Sequence, residues 1–359
     1  MIHNKAGEGV ATCLKYGMPV SLKQPNNILV LKLSAIGDVV FASAMIPTLR
    51  TNYPNARLSW LVEPMAAPLL TENPELDEVI IWPRAQWRDL WRQGKVFRLL
   101  MEVMRFRAVL RSRQFDLVLD LQGLFKSAFL AFLTGARCRL GYRSKEPTRF
   151  LLTHRLAKTI GPRVGSEHFN LAQQLGLDVS RHDMMLSLSG ADELRAERES
   201  ALGAYVVICP FTTRPQKHWI DGHWRELAEI LVARGWRVVM LGGPSEQDYA
   251  RRLVQGLQIE NFVGQTTLRE SAALISRAHG VIGVDTGLTH MGIAMAVPTV
   301  TIFGSTCPYT ETTRENAVVL YDALPCAPCR RNPTCGETYD CMRGISAARV
   351  ASAFEAVVS

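Results

Sequence analysis

Three short loops of this chain combine small residues with side chains that can bind an anion or accept a proton. The first, SAIGD at 34–38, follows the aliphatic run at 28–33. Its glycine permits a ligand to approach the backbone closely, and Asp38 could either accept a proton or cap the helix predicted to follow. From this loop alone, helix capping is the simpler interpretation.

The second loop, PFTTRPQKHW at 210–219, follows the aliphatic run at 205–209. Thr212, Thr213 and Lys217 supply hydroxyl groups and a cation, which suit the oxygens of a phosphate or diphosphate. A basic loop that is merely exposed to solvent explains the same residues equally well.

The third loop, DTGLTH at 285–290, provides the clearest local pattern. Thr286 and Gly287 open a predicted helix, whose first N–H groups can donate to an anionic oxygen. Asp285 is then expected to cap or orient the loop. His290 lies one turn into the helix, where an isolated histidine is usually structural.

Two other strand ends carry weaker candidates. Glu246 could accept hydrogen bonds from ribose hydroxyls, or it could simply begin a helix. Thr266 follows a predicted strand at 262–264 and could face a base. The chain contains no Asp-x-Asp pair to hold a divalent metal on a diphosphate, so Lys217 and the helix N-termini are expected to neutralise the charge.

Aliphatic runs at regular intervals predict the strands that must position these loops. They occur at 28–33, 57–62, 78–82, 116–121, 205–209, 237–241, 280–285 and 299–303. Continuous apolar runs that alternate with helical stretches are typical of parallel strands covered on both faces. The pattern occurs twice and predicts an α/β fold with two doubly wound domains, whose ligands bind at the carboxyl ends of the strands.

The charged stretch at 192–203 marks the predicted domain boundary. We expect an N-terminal extension at 1–26, a first domain at 27–190 and a second at 200–359. The extension lacks the apolar segment of a signal peptide, and no apolar run is long enough to span a bilayer. These features favour a cytoplasmic protein.

The charge of the chain indicates an anionic partner. The formal net charge is +8 and the pI about 9.2. Residues 84–113 contain nine Lys or Arg, two acidic residues and several aromatics. They predict a basic amphipathic helix for a membrane surface or an anionic ligand, or a solvated helix whose aromatics are core. Nucleic acid is not expected, because no nucleic-acid-binding motif accompanies the charge.

Four cysteines lie close together near the C-terminus, in the loop at 326–341: Cys326, Cys329, Cys335 and Cys341. In a reducing compartment this cluster suits a structural zinc or iron ion, although two disulfides on isolation would use the same residues.

Four segments together resemble the bacterial ADP-heptose:lipopolysaccharide heptosyltransferases, and the resemblance covers residues 27–355. The segments are KLSAIGDVV at 32–40, DLQGLFKS at 120–127, KHW at 217–219 and DTGLTH at 285–290. The resemblance implies a GT-B fold of two Rossmann-like domains that face a central cleft. It also implies inverting transfer of L-glycero-D-manno-heptose from ADP-heptose without a metal or other cofactor.

The resemblance further implies roles for individual residues. Asp38 would be the general base. The donor-binding residues would be Thr212, Thr213, Lys217, Glu246, Thr266, Asp285, Thr286, Gly287 and His290. The acceptor-binding residues would be Ser34, Gly37, Gln122, Lys126 and Arg143, the last from a second basic loop.

The implied acceptor is a lipid-linked phosphorylated glycan, the Kdo-lipid A inner core, reached from the cytoplasmic face of the inner membrane. Addition of the first heptose is the leading interpretation. Second- or third-heptose transfer and protein O-heptosylation are alternatives. Sugar-nucleotide 2-epimerases share the frame but lack the SxxGD turn opposite a KHW loop. A non-catalytic sugar-nucleotide-binding protein is the alternative from another functional class.

Overall fold

The computed structural model describes residues 24–330 and 332–359, so most of the predicted N-terminal extension lies outside it. In the first half the strands are β1 Asn27–Leu31, β2 Arg57–Val62, β3 Glu78–Ile81, β4 Leu117–Asp120, β5 Cys138–Tyr142 and β6 His154–Leu156. The helices are α1 Ile36–Ala42, α2 Met45–Asn52, α3 Arg84–Arg92, α4 Val96–Arg111, α5 Phe125–Leu133 and α6 Ser166–Gln174.

The second half repeats the alternation of strand and helix. Its strands are β7 Tyr205–Cys209, β8 Arg237–Met240, β9 Glu260–Asn261, β10 Gly280–Val284, β11 Thr299–Phe303 and β12 Ala317–Tyr321. Its helices are α7 Gly190–Ala201, α8 Asp221–Ala233, α9 Gln247–Leu253, α10 Leu268–Ser276, α11 Gly287–Ala294, α12 Asp340–Arg343 and α13 Ala347–Val358. Short 3₁₀ turns occur at Ala67–Leu69, Pro215–Lys217 and Pro244–Glu246.

Each half forms a parallel six-stranded sheet, in the orders β3-β2-β1-β4-β5-β6 and β12-β11-β10-β7-β8-β9. When the strands of each half are numbered from its own start, the second order read from its other edge is 3-2-1-4-5-6, the same as the first and the same as the Rossmann order. The predicted α/β class with two doubly wound sheets is therefore confirmed.

The central strands are buried because their sequences are aliphatic on both faces. Residues 28–31 of β1 and 205–209 of β7 have almost no solvent exposure. Helices cover both faces of such strands, which explains why the sequence shows continuous apolar runs rather than alternation. The rigid sheets fix the positions of the loops that follow each strand.

The residue contacts divide the chain into two compact units. Among the described residues, one consists of residues 24–34, 42–160 and 166–184, and the other of residues 35–41, 161–165, 185–330 and 332–359. Residues 35–41, which the predicted boundaries place in the first domain, group with the second unit. The segment that carries Asp38 therefore belongs to that unit.

Two local predictions were wrong. The single helix expected over 84–113 is interrupted between α3 and α4, where Gly94 has a φ of +67° that a continuous helix cannot accommodate. The strand expected at 262–264 lies earlier, at Glu260–Asn261, and Gly264 has a φ of +68°. Among the described residues, no helix has the length and apolar character needed to cross a membrane.

Candidate functional site

Both sheets have a topological switch point, where the chain leaves two neighbouring strands in opposite directions. It lies between β1 and β4 in the first sheet and between β7 and β10 in the second. The loops at 34–38, 122–126, 210–217 and 285–290 follow these four strands. Parallel open sheets bind ligands at this position, so most candidate residues lie at the expected edge of their own sheet.

Asp285 lies directly after β10, and both oxygens of its carboxylate have partners. Its Oδ2 lies 2.6 Å from Lys217 Nζ and also accepts the Thr306 hydroxyl, while its Oδ1 lies 3.1 Å from His290 Nε2. Burial raises the pKa of Asp285, but the hydrogen bond and charge of His290 and the charge of Lys217 outweigh this and hold the pKa well below its ordinary value. Asp285 is therefore an anion that orients Lys217 and His290.

His290 is buried, and both of its ring nitrogens have partners. Nε2 faces Asp285, and Nδ1 lies 2.9 Å from Tyr309 Oη. An ionised Asp285 can only accept, so the Nε2–H group donates to it, and the Tyr309 hydroxyl group forms the second hydrogen bond of the ring at Nδ1. The Phe41 ring packs against the imidazole with centroids 4.6 Å apart. These contacts fix the orientation of the His290 ring, and the ring in turn positions the Asp285 carboxylate.

The loop after β7 brings Lys217 to Asp285 through the 3₁₀ turn Pro215–Lys217. Thr212 donates its hydroxyl to the Asp285 carbonyl oxygen at 3.3 Å, and His218 Nε2 lies 2.9 Å from the Thr212 carbonyl oxygen. Thr213 is exposed. The loop thus presents a cation held by a carboxylate and a threonine open to solvent, a combination suited to an incoming anion.

The N-terminus of α11 lies beside this ion pair. Thr286 is the N-cap residue in an extended conformation, with φ −142° and ψ 156°, and its side chain makes no capping hydrogen bond. Gly287 is the first helical residue. The first N–H groups of a helix have no partner within the helix, and they carry the positive end of its dipole. Together with Lys217, this end can bind a diphosphate oxygen.

Two glycines let the start of α1 approach the start of α11. A Cβ added to Gly37 would lie 2.8 Å from His290 Cδ2, and a Cβ added to Gly287 would lie 2.6 Å from Ile36 Cγ2. Real Cβ atoms do not make contacts this short, so neither position tolerates a side chain without movement. The two helix N-termini therefore meet at a glycine-to-glycine contact.

Asp38 is adjacent to this contact, at the third residue of α1. Its Oδ2 accepts the backbone N–H of Ala35 at 3.0 Å, the bond that a third-position carboxylate makes to the cap residue of a helix. The residue is half-buried. Asp38 thus caps its own helix and also lies next to the loop that holds Lys217 and Asp285.

The loop after β4 supports the first part of the SAIGD turn. The Gln122 side-chain oxygen accepts the backbone N–H groups of Leu33 and Ser34, at 3.0 and 3.2 Å. This oxygen therefore contacts the protein's own backbone rather than facing solvent. Gln122, predicted to bind the acceptor, fixes the conformation of the turn that leads to Asp38.

Glu63, directly after β2, contacts three polar side chains: those of the predicted site residues Ser34 and Lys126, and that of Arg84. Its carboxylate accepts the Ser34 hydroxyl at 3.3 Å and lies 3.0 Å from both Lys126 Nζ and Arg84 Nη1. Two cations around one carboxylate leave a net positive cluster at the carboxyl edge of the first sheet. Such a cluster suits an anionic sugar.

The remaining predicted residues lie at other strand ends. Arg143 is exposed after β5. Glu246 Oε2 is buried and, among the described residues, has no hydrogen-bond partner. Gly243 leaves room for this oxygen, because a Cβ there would lie 2.8 Å from it. The Thr266 hydroxyl bonds Ser271 Oγ at 2.7 Å, and the neighbouring Thr267 caps α10.

Sequence reasoning missed three residues of these clusters. Glu63 is the first residue after the predicted strand at 57–62, and this position alone is the signal that identifies it. Thr306 and Tyr309 follow β11 in the run GSTCPYT, where polar residues carry no distinctive spacing. Only the packing of this loop against His290 and Asp285 reveals their contribution.

The four C-terminal cysteines are free thiols in the described structure. Burial, together with the charges of the neighbouring Cys326, Cys329 and Cys335, raises the pKa of Cys341 to about 11. Within residues 24–330 and 332–359, however, no group of three or more His, Cys, Asp or Glu is arranged to hold a metal ion. The conformation described does not fit a metal centre.

Comparison with known proteins identifies relatives across most of the chain. The protein is 31% identical over 317 residues to lipopolysaccharide heptosyltransferase 1 of Pseudomonas aeruginosa, with 86% of this chain and 87% of the relative covered. Lipopolysaccharide heptosyltransferase 1 of Escherichia coli K12 is 28% identical over 78% of this chain and 88% of its own length. Lipopolysaccharide heptosyltransferase 3 of Escherichia coli is 29% identical over 75% and 81%.

Solved structures share the fold. The family 9 glycosyl transferase of Veillonella parvula superposes with a TM-score of 0.77 at 19% identity, covering 93% of this chain and 97% of that one. Escherichia coli heptosyltransferase WaaC, with ADP-2-deoxy-2-fluoro heptose, gives a TM-score of 0.70 at 25% identity, covering 92% and 99%. These neighbours confirm the GT-B fold. Residues 103–339 match the model of "Glycosyltransferase family 9 (heptosyltransferase)", and the chain therefore belongs to this family of glycosyltransferases.

Proposed function

We propose that this enzyme transfers L-glycero-D-manno-heptose from ADP-heptose to the Kdo-lipid A inner core of lipopolysaccharide, with Asp38 as general base. The names of its relatives support the substrate class, since the three described above are lipopolysaccharide heptosyltransferases. The observation that carries the base assignment is the contact of Gly37 with His290 and Gly287, which brings Asp38 beside the predicted diphosphate site.

In the proposed reaction the acceptor hydroxyl attacks the anomeric carbon as the bond to ADP breaks. Asp38 takes the hydroxyl proton, because a neutral hydroxyl is a poor nucleophile. Charge then develops on the departing diphosphate. Lys217 and the first N–H groups of α11 stabilise that charge, as preorganised cations and dipoles do in other enzymes. A diphosphate is already a good leaving group, so the mechanism requires no general acid.

Asp285 keeps Lys217 in place until the donor arrives. The 2.6 Å ion pair orients the lysine, and an incoming diphosphate oxygen would share its three N–H donors with the carboxylate. Glu246 would accept hydroxyl groups of the ribose through its partnerless buried oxygen. The Glu63 cluster, with Lys126 and Arg84, would contact an acidic sugar of the acceptor.

The substitution Asp38→Asn tests this assignment because asparagine keeps an oxygen that can accept the Ala35 N–H. If Asp38 is the base, transfer should fall by about 10²- to 10⁴-fold, while ADP-heptose affinity stays within twofold or so of wild type. Asp248→Asn, at an exposed carboxylate on α9, is the matched control and should leave both quantities unchanged. Full transfer by Asp38→Asn would make Asp38 a helix cap only. Tight donor binding without transfer by wild type would instead favour a non-catalytic binding protein.

The acceptor is tested with ADP-heptose and Kdo2-lipid A, followed by mass spectrometry. A mass gain of one heptose on Kdo2-lipid A supports first-heptose transfer. The sequence relationship to a heptosyltransferase 3 makes later-heptose transfer the alternative. A gain only on an acceptor that already carries heptose, or only on a protein, would reject the first-heptose assignment.

We also propose that the four-cysteine loop is a structural site separate from transfer. The thiols lie near one another but are not arranged for a metal ion, so zinc or iron would require them to move together. Metal analysis of anaerobically purified protein, beside a Cys326→Ser/Cys329→Ser variant, tests this. Substoichiometric metal in the wild type, or equal metal in both proteins, would rule out a metal at this loop.

A further inference from the structure

Helices α3 and α4 present large apolar side chains to solvent, and we call this surface the α3–α4 face. Its five principal members and their exposed fractions are Trp91 (66%), Phe97 (75%), Leu100 (55%), Met101 (44%) and Met104 (47%). Single exposed apolar residues are common on protein surfaces. Four residues with helical spacing on one helix form a continuous stripe instead, and a patch of this kind marks an interaction surface.

The exposed stripe is distinct from the side of α4 that packs on the protein. Leu110 is buried in the core of the first unit, and Leu99, Val103 and Phe106 pack against that core. At roughly 100° per residue, these four residues lie on one side of the helix, and residues 97, 100, 101 and 104 lie on another. Folding therefore buries only one apolar side of α4 and leaves the second side exposed to solvent.

The sequence left open whether the aromatics of this segment were core or surface, and the structure separates them. Trp87 is buried and stacks edge-on with Phe106, with centroids 5.6 Å apart. Trp91 and Phe97 instead project into solvent on either side of the break at Gly94. Trp91 and Phe97 are available to a partner, whereas buried Trp87 and partly buried Phe106 pack the two helices onto the core.

The exposed apolar residues lie in a strongly basic segment. Nine Lys or Arg and only two acidic residues lie between 84 and 113. Arg98 and Arg105 are exposed on α4, next to the apolar stripe, and Arg88, Arg92 and Lys95 are exposed around Trp91. Apolar side chains surrounded by cations are complementary to a surface that is anionic outside and apolar just beneath.

We propose that the α3–α4 face binds the surface of an anionic phospholipid bilayer, with α4 lying in the plane of the interface. Phe97, Leu100 and Met104 would enter the boundary between headgroups and acyl chains, and Trp91 would lie at headgroup level. The arginines would contact lipid phosphates. A second copy of this chain fits less well, because a symmetric contact would bring the same cations together from both sides.

The position of the α3–α4 face in the fold relates bilayer binding to the supply of acceptor. Helix α3 follows β3 after a short connection, and its first residue, Arg84, contacts Glu63 in the cluster at the carboxyl edge of the first sheet. A bilayer bound here would present a lipid-linked acceptor beside that cluster. Presentation of the acceptor rests on the proposed function, whereas bilayer binding itself does not.

The test is vesicle flotation without ADP-heptose, using phosphatidylglycerol-containing and pure phosphatidylcholine vesicles. Wild-type protein should float with the anionic vesicles and bind the neutral ones at least about tenfold more weakly. Phe97→Ser/Leu100→Ser should lose at least about tenfold in binding to anionic vesicles. The matched control, Leu194→Ser/Leu202→Ser, removes two apolar residues of similar exposure elsewhere and should bind like wild type.

Two further measurements separate this proposal from the proposed function. Phe97→Ser/Leu100→Ser should transfer heptose to a deacylated, water-soluble acceptor at the wild-type rate and to a vesicle-embedded acceptor more slowly. Absence of both activities in wild-type protein, with vesicle binding that the substitution weakens as expected, would count against the proposed function alone. Equal vesicle binding by wild type and variant, no binding by wild type, or a wild-type dimer that the variant dissociates in sedimentation equilibrium would each overturn the bilayer proposal.

Discussion

Replacing Gly37 by alanine tests whether the meeting of α1 and α11 holds Asp38 in place. The new Cβ would lie 2.8 Å from His290 Cδ2, whereas an ordinary contact between such atoms is close to 3.5–4.0 Å. His290 cannot retreat easily, since Asp285 and Tyr309 hold both of its nitrogens. Helix α1 must therefore move by several tenths of an ångström to about 1 Å, and Asp38 moves with it.

The expected effects on stability and activity differ in size. Overpacking costs about 1–3 kcal/mol, and the better helix propensity of alanine returns about 1 kcal/mol, so the free energy of unfolding should fall by about 0–2 kcal/mol. A displacement near 1 Å at a reacting group can cost about 10²-fold in rate. We therefore expect Gly37→Ala to reduce kcat by about ten- to a hundredfold while the protein remains folded.

The assay compares heptosyl transfer and urea unfolding of Gly37→Ala with Gly222→Ala. Gly222 lies in the first turn of α8, where an added Cβ would meet nothing within 4 Å. This control should be as active as wild type and up to about 1 kcal/mol more stable. Wild-type kcat in a stable Gly37→Ala protein would refute the reasoning, because it would show that the glycine contact does not govern the position of the base.

Three further predictions concern groups around the sites. Burial raises the pKa of Asp120 to about 6 from 3.8. The stability that comes from protonated Asp120 is therefore complete below pH 3.8 and is lost as the pH rises through 6. Asp120→Asn should remove about 3 kcal/mol of this pH dependence from the free energy of unfolding, measured from pH 4 to 7. Tyr309→Phe leaves Nδ1 of buried His290 unpaired and should cost about 1–3 kcal/mol in unfolding free energy, with weaker ADP-heptose binding by calorimetry. Thr267→Ala removes the N-cap of α10 and should cost about 1 kcal/mol in urea unfolding without changing transfer, whereas an equal loss of activity would mean that this cap shapes the site.

The strands were predictable because each central strand is a continuous aliphatic run. Residues 28–33 and 205–209 required only the recognition of parallel strands buried on both faces. The order of the strands within each sheet was not predictable in this way, since it depends on which strands pair across long loops. The break at Gly94 was missed because the charge pattern continues across it, while the backbone does not.

The sites were predictable only to the level of their loops. Every candidate loop could be identified by its place after a strand, but the partners of its side chains come from distant loops. Tyr309 and Thr306 reach the DTGLTH loop from beyond β11, and Glu63 reaches Ser34 from β2. No local pattern in the sequence encodes these contacts, because they arise from the packing of one strand's loop on another's.

Asp38 illustrates why a functional residue can look purely structural in a sequence. Capping uses Oδ2 to accept the Ala35 N–H, and this bond also fixes the rotamer of the side chain. A carboxylate can accept about four hydrogen bonds, so accepting the Ala35 N–H is compatible with taking a proton from a hydroxyl. The two roles are therefore compatible, and the cap contributes to catalysis by holding the base still. Asp38→Asn preserves the first role and removes the second, which is why it distinguishes them better than Asp38→Ala, where loss of activity could follow from a frayed helix alone.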